Sequence, residues 1–115
     1  MGRRAKRIDA HLKTHWETAS GEHHCIIKDI SQGGCFLITK DEVAVGHTVR
    51  VEIGFPNLLH MRVKGIVVRK VPNIGVGICF NSLTTTEKTL LSRVIENSRQ
   101  RLDQGASLAA NLTAA

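Results

Sequence analysis

A chain of 115 residues, 42% of them hydrophobic, suits one compact core with little room for a second, and is too apolar for a disordered polymer. Aromatic residues make up only 3%, so the core must be built from Val, Ile and Leu, and the stacking platforms of a single-strand nucleic-acid binder are scarce. The formal net charge of +6 suits an anionic partner, and no apolar run reaches the length of a membrane span.

The first seven residues form a basic arm containing Arg3-Arg4-Ala5-Lys6-Arg7, with no apolar anchor before Ile8; it is predicted to be flexible. No apolar stretch follows the basic start, so no secretory leader is expected, and Lys6 stands where a myristoylation signal needs Ser or Thr. Ile8, Ala10, Leu12, Thr14 and Trp16 then alternate with Asp9, His11, Lys13, His15 and Glu17, the period of a half-buried strand; Trp16 reads as a core residue. The turn Ser20-Gly21-Glu22-His23-His24 leads to a second strand, Cys25 to Ile30. After Gly33-Gly34 comes a third, Cys35 to Ile38. Val49 to Phe55 makes a fourth, broken by Pro56-Asn57. Leu59 to Lys70 makes a fifth, and Pro72-Asn73 turns the chain into a sixth, Gly75 to Phe80, alternating small and large residues. Short strands with regular turn signals predict a sandwich or small barrel. Thr84-Thr85-Thr86-Glu87 has the form of a capping box, and Leu90, Leu91, Val94, Ile95 and Leu102 follow at helical spacing. The helix is predicted to end near Gln104, with Gly105 as its stop and residues 105–115 as a disordered tail.

Enzymatic readings find little support. His11 and His15 on a strand are about 13 Å apart, too far for one metal ion. His23-His24-Cys25 sits at a turn without further ligands in sequence, so no metal or other cofactor is expected. Ser31 has no histidine near it in sequence, the carboxylates show no acid–base spacing, and Gly75-Val76-Gly77 lacks the GK[ST] of a phosphate loop. The three cysteines, Cys25, Cys35 and Cys79, have no CxxC spacing and lie among strand-like apolar residues, which predicts buried thiols in a reducing cytoplasm. The chain reads as a binding module.

Two short patterns stand out: Arg3 to Arg7 has the form R-x-x-x-R, and Asp29-Ile30-Ser31-Gln32-Gly33-Gly34 has the form D-x-S-x-x-G. Taken singly, the first is ordinarily a solvated tail and the second a turn. Together, in this order and before a barrel-like run of strands, they resemble the PilZ domain family, bacterial receptors for cyclic di-GMP. The resemblance runs from about Arg3 to about Leu102. It implies a mostly β fold, a six-stranded antiparallel β-barrel followed by one C-terminal α-helix spanning residues 8–104, with residues 1–7 as a ligand-binding arm. It implies cyclic di-GMP contacts from Arg3, Arg7, Asp29, Ser31, Gly33 and Gly34, with a supporting charge from Arg4. Arg69 stands where the family often carries a Trp or other large residue; it is an extra candidate contact whose ordinary role is that of a solvent-facing strand residue.

The chemistry fits those residue types. Guanine offers O6 and N7 as paired acceptors to an arginine fork, and the planar guanidinium also stacks on a purine. The opposite edge of guanine presents N–H donors, which the Asp29 carboxylate can accept. Ser31 can donate to a phosphate or accept from the base. Gly33 and Gly34 let the backbone turn tightly and approach a ligand closely. The expected function is that of a receptor or adaptor that changes conformation on binding the messenger and signals to a partner protein controlling motility, biofilm or exopolysaccharide output. Two other classes remain in view: a PilZ-fold protein-interaction adaptor with weak or no ligand binding, and a small nucleic-acid-binding barrel, which the lack of Tyr and the scarcity of Phe disfavour.

Overall fold

The computed structural model describes residues 7–54 and 60–114, with side chains to residue 99. Six strands, β1 (Ile8–Thr18), β2 (Gly21–Ile30), β3 (Gly34–Ile38), β4 (Thr48–Gly54), β5 (His60–Val71) and β6 (Gly75–Phe80), precede one helix, α1 (Thr85–Ala114). The strands close into an antiparallel barrel in the order β1-β2-β3-β6-β5-β4. Among the described residues, closure rests on two residue pairs, Trp16 with Val51 and Glu17 with Arg50. The Thr14 hydroxyl extends this seam by donating to the Glu52 carbonyl. This is the predicted architecture.

Alternation places the core. On β1, Ile8, Ala10, Trp16 and Thr18 are buried while Asp9, His11 and Lys13 are exposed. Ile27, Ile30, Leu37, Val51, Ile53, Val63 and Val67 are fully buried, so the interior is aliphatic as the composition requires. Trp16 joins them at 1% exposure. From the helix, Leu91 and Val94 join the same core. The predicted capping box is formed: the Glu87 N–H donates to Thr84 Oγ1 at 3.1 Å, and the Thr84 N–H donates to Glu87 Oε1 at 2.9 Å.

Two expectations need correction. The helix does not stop at Gly105 but continues to Ala114, through the segment expected to be disordered. One glycine costs a helix about 1 kcal/mol, and the alanines and leucines that follow are the strongest helix formers. Cys25 and Cys35 are buried as predicted, but Cys79 is exposed. On β6 the inward positions belong to Val76, Ile78 and Phe80, so Cys79 shares the outward parity of Gly75 and Gly77. The predicted Pro56-Asn57 turn, and the Phe55 and Leu59 strand ends beside it, lie outside the described residues. Among the described residues, no helix is long and apolar enough to cross a membrane.

Candidate functional site

Asp29 is the penultimate residue of β2, and the chain must reverse between Ile30 and Gly34 to start β3. Ser31 makes that reversal. Its N–H donates to the Gly34 carbonyl at 2.8 Å, its hydroxyl donates to the same oxygen at 3.4 Å, and it accepts the Gly33 N–H at 3.2 Å. The Gly33 carbonyl in turn accepts the Phe80 N–H at 2.9 Å, tying the loop to β6. Ser31 is 4% exposed, so its hydroxyl is spent on the turn.

The adjacent glycines do different things. Gly33 is exposed, and a Cβ there would come no closer than 4.0 Å to Ser31 Oγ. Gly34 is buried, and a Cβ there would lie 2.0 Å from the Ile78 carbonyl oxygen. Gly34 therefore serves the close approach of β3 to β6, while Gly33 leaves its backbone open to the outside.

The register of β1 on β2 sets Asp9 opposite Asp29 and Ile8 opposite Ile30, which carries Arg7 to the same edge. Its guanidinium lies 2.6 Å from Asp29 Oδ1, in an ion pair whose side chains are 46% and 18% exposed. The two sequence motifs, far apart along the chain, thus meet through Arg7 and Asp29. Arg3 and Arg4 lie outside the described residues.

Pairing across the barrel extends the site beyond the motifs. Asp29 pairs with Phe36, Phe36 with Gly77, and Gly77 with Arg69. Register shifts next to Lys28 and Val68 bring Asp29 and Arg69 onto this row. Cys35 and Leu37 belong to the core cluster and Phe36 between them does not, so its ring lies on the outer wall. The Arg69 guanidinium carbon is 5.6 Å and Lys28 Nζ 6.0 Å from the ring centroid, at cation–π range. A Cβ on Gly75 would lie 2.0 Å from the Leu37 carbonyl oxygen and 2.9 Å from the edge of the ring, so that glycine serves the close approach of β6 to β3 and also leaves room for Phe36. This part of the outer wall therefore carries two carboxylates, Asp9 and Asp29, three cations, and an aromatic ring whose residue is only 9% exposed. That is a surface for an anionic ligand with aromatic faces and N–H donors.

Sequence reasoning missed Phe36 and Lys28. Cys35-Phe36-Leu37-Ile38 is an unbroken apolar run and shows no parity; the usable signal was a Phe in a chain with only three. It did name Arg69, which the structure brings to the row. A cavity of about 490 Å³ lies elsewhere, lined by Lys13, His15, His24, Ile26, Ile38 and His60 among others. It touches no motif residue, so the chemistry of the outer strip, not cavity volume, locates the site. Among the described residues, no group of three or more His, Cys, Asp or Glu could hold a metal ion.

The closed six-stranded barrel with its C-terminal helix, and the D-x-S-x-x-G turn paired with Arg7 at its edge, define a small β-barrel domain of a known kind. A family profile described as the PilZ domain matches residues 2–97. The chain belongs to the PilZ domain family. Among solved structures it is similar to the PilZ domain of Escherichia coli YcgR with c-di-GMP, at TM-score 0.73 and 19% identity, covering 93% of this chain and 98% of that one. It is similar to Bacillus subtilis inhibitor of motility (MotI/DgrA), at TM-score 0.69 and 18% identity over 90% of this chain and 53% of that one. It is also similar to Borreliella burgdorferi PlzA in complex with c-di-GMP, at TM-score 0.63 and 19% identity over 82% of this chain and 41% of that one. The chain thus spans less than half of PlzA and about half of MotI. No curated protein matches it.

Proposed function

We propose that this chain is a cyclic di-GMP receptor that works as an adaptor, binding the messenger on the outer wall of the barrel and signalling to a protein partner. The observation that carries the reading is the 2.6 Å pairing of Arg7 with Asp29, which joins the two motif fragments at one edge of the Phe36–Arg69 strip. In this reading Asp29 accepts from the N–H edge of a guanine. Arg7 and Arg3 take the O6/N7 edge or a phosphate by bidentate donation, and Arg4 adds charge. Gly33 offers open backbone, Gly34 and Ser31 hold the loop that presents Asp29, and the exposed guanidinium of Arg69, backed by Phe36, provides a planar face for the second base. An exposed ion pair contributes at most about 1 kcal/mol, so a ligand that supplies both halves with partners opens the Arg7–Asp29 pair at little cost. Closure of the arm over the ligand then reshapes the barrel surface, and output follows only through a partner that favours the closed form. Motility, biofilm and exopolysaccharide control in a bacterial cytoplasm are the outputs this reading places downstream. The receptor role itself needs no catalysis and no cofactor beyond the messenger.

Calorimetric titration of the full chain with cyclic di-GMP, using GMP and cyclic di-AMP as controls, tests the reading. Guanine-selective binding that falls at least about tenfold in both Arg7→Ala and Asp29→Ala is expected, since losing a charge-assisted hydrogen bond removes about 1.5–3 kcal/mol. Each variant should keep its stability within about 1 kcal/mol, because the pair is exposed. No heat with any of the three ligands would sink it and leave the ligand-independent adaptor.

A further inference from the structure

The two-residue turn joining β1 to β2 is at the opposite end of the hairpin from Asp29, about 27 Å away along β2 at about 3.4 Å per residue. Ser20 stands exposed in that turn, and its hydroxyl oxygen is 2.8 Å from His23 Nε2. On the other side of the same ring, His23 Nδ1 is 3.6 Å from Asp41 Oδ1. Asp41 reaches the hairpin from the loop after β3. Its Oδ2 accepts Trp16 Nε1–H at 3.0 Å and the Thr39 hydroxyl at 2.7 Å, and its N–H donates to Thr39 Oγ1 at 3.1 Å. Ser20 Oγ also lies 3.0 Å from Thr18 Oγ1, which accepts the Ser20 N–H at 3.2 Å.

The order of groups is hydroxyl, imidazole, carboxylate, the arrangement by which a serine is activated on many unrelated folds. Each link sets the next. The Trp16 indole and the Thr39 hydroxyl fix the Asp41 carboxylate. At 3.6 Å the Asp41 carboxylate is too far from Nδ1 for a hydrogen bond, but its charge favours a proton there, and that tautomer leaves Nε2 as an acceptor facing the Ser20 hydroxyl. A turn needing only to be tied down already has its bond between Ser20 N–H and Thr18 Oγ1. The alignment of both imidazole nitrogens is additional to it.

We propose that Ser20 is an activated nucleophile that accepts acyl groups from small activated donors, esters of acidic alcohols or acyl phosphates. In the step, Ser20 Oγ forms a bond to the carbonyl carbon and the bond from that carbon to the leaving oxygen breaks. His23 Nε2 takes the hydroxyl proton and gives it to the leaving group. Asp41 stays ionised throughout and acts as the positioning residue. The Ser20 N–H is engaged with Thr18 Oγ1 and cannot steady a developing oxyanion. The reaction is therefore confined to donors whose leaving group is already good, and it yields an acyl-serine on the chain. The inference is independent of cyclic di-GMP binding.

The test exposes the full chain to p-nitrophenyl acetate, and separately to a fluorophosphonate, with nitrophenolate release, intact mass and peptide mapping as readouts. One adduct per chain is expected, on Ser20. It is absent in Ser20→Ala and forms about 100-fold more slowly in His23→Gln, the lower range of what a general base contributes. In Asp41→Asn the adduct also slows and the pH profile of the reaction changes, which a purely structural carboxylate would not cause. Far-UV circular dichroism and thermal unfolding establish that each variant is folded. No adduct, adducts scattered over lysines and hydroxyls, or a Ser20 adduct forming equally fast in folded His23→Gln would overturn the proposal.

Discussion

The neighbouring glycines of the D-x-S-x-x-G motif are predicted to respond oppositely to alanine. At Gly34 a Cβ would sit 2.0 Å from the Ile78 carbonyl oxygen and 3.3 Å from Cys79 Cα, both backbone. A carbon–oxygen contact normally relaxes to about 3.3 Å, so β3 and β6 must part by roughly 1.3 Å in a ladder spaced at about 4.8 Å. Overpacking of this kind costs about 1–3 kcal/mol, and each ladder hydrogen bond lost at Gly34–Cys79 or Cys35–Ile78 adds about 1 kcal/mol. Gly34→Ala is expected to lose about 3–4 kcal/mol, a fall in Tm on the order of 15–25 °C for a domain of this size. Gly33→Ala meets nothing closer than 4.0 Å and has no positive φ to strain, so its stability should stay within about 1 kcal/mol of the parent. Thermal and urea unfolding followed by circular dichroism measure both. A Gly34→Ala protein that melts within about 2 °C of the parent would refute the reasoning, and if it had also lost ligand binding, Gly34 would be a ligand contact instead of a packing residue.

Three further outcomes follow from the packing. Iodoacetamide under native conditions should modify Cys79 alone, with Cys25 and Cys35 reacting only after denaturation. Burial, and secondarily the Asp41 charge, pushes the Cys25 thiol up to about 12, and burial pushes Cys35 higher still; rapid loss of all three thiols in the folded protein would contradict this. Thr84→Ala removes the hydroxyl that caps α1 and should cost about 1 kcal/mol in urea unfolding, while an unchanged midpoint would show that the cap contributes nothing. At Asp41, burial raises the pKa, but hydrogen bonds from Thr39 and Trp16 and the nearby His23 outweigh it, leaving the carboxyl below the ordinary aspartate value of 3.8. The stabilisation is then present above that value and lost as pH falls through the lower folded value. The parent should exceed Asp41→Asn in Tm at neutral pH and converge on it in acid, and parallel Tm curves for the two proteins would count against the assignment.

What could be read from the sequence was what local patterns determine. Alternation from Ile8 to Trp16, the Thr84–Glu87 box and the Pro72-Asn73 turn each depend on a few neighbouring residues, and each is found in the structure; the turn expected over Ser20 to His24 is shorter, because β2 already begins at Gly21. The Arg7–Asp29 pairing was legible only through the resemblance, because their contact spans the register of β1 on β2. Features set by register were not legible. Phe36 reaches the outer wall opposite Asp29 because the ladder shifts beside Lys28, and no residue in that run announces the shift. Ser20, His23 and Asp41 come from a turn, a strand and a distant loop, so their alignment exists only once the barrel closes. The helix boundary failed for a different reason: Gly105 was weighed as a stop signal without the helix-forming residues after it.

The outer strip also separates affinity from selectivity. Lys28 and Arg69 flank Phe36 with positive charge, Arg7 stands beside the neighbouring Asp29, and the chain as a whole carries +6, so any polyanion is attracted to this wall. Cations and an aromatic face cannot by themselves distinguish a cyclic dinucleotide from a stretch of nucleic acid. In the proposed reading Asp29 makes that distinction, because a carboxylate at the edge of a basic strip repels phosphate oxygens and rewards only a ligand that brings N–H donors to it, as the edge of guanine does. In the ligand-free protein that same carboxylate is paired with Arg7, which satisfies its charge and holds the guanidinium beside the strip. On the proposed function, the ion pair stores two recognition groups more than it supplies stability. Its exposure lets a ligand with the right donors and acceptors exchange for it, and a simple polyanion, which offers Arg7 a partner but Asp29 none, gains only half of the exchange.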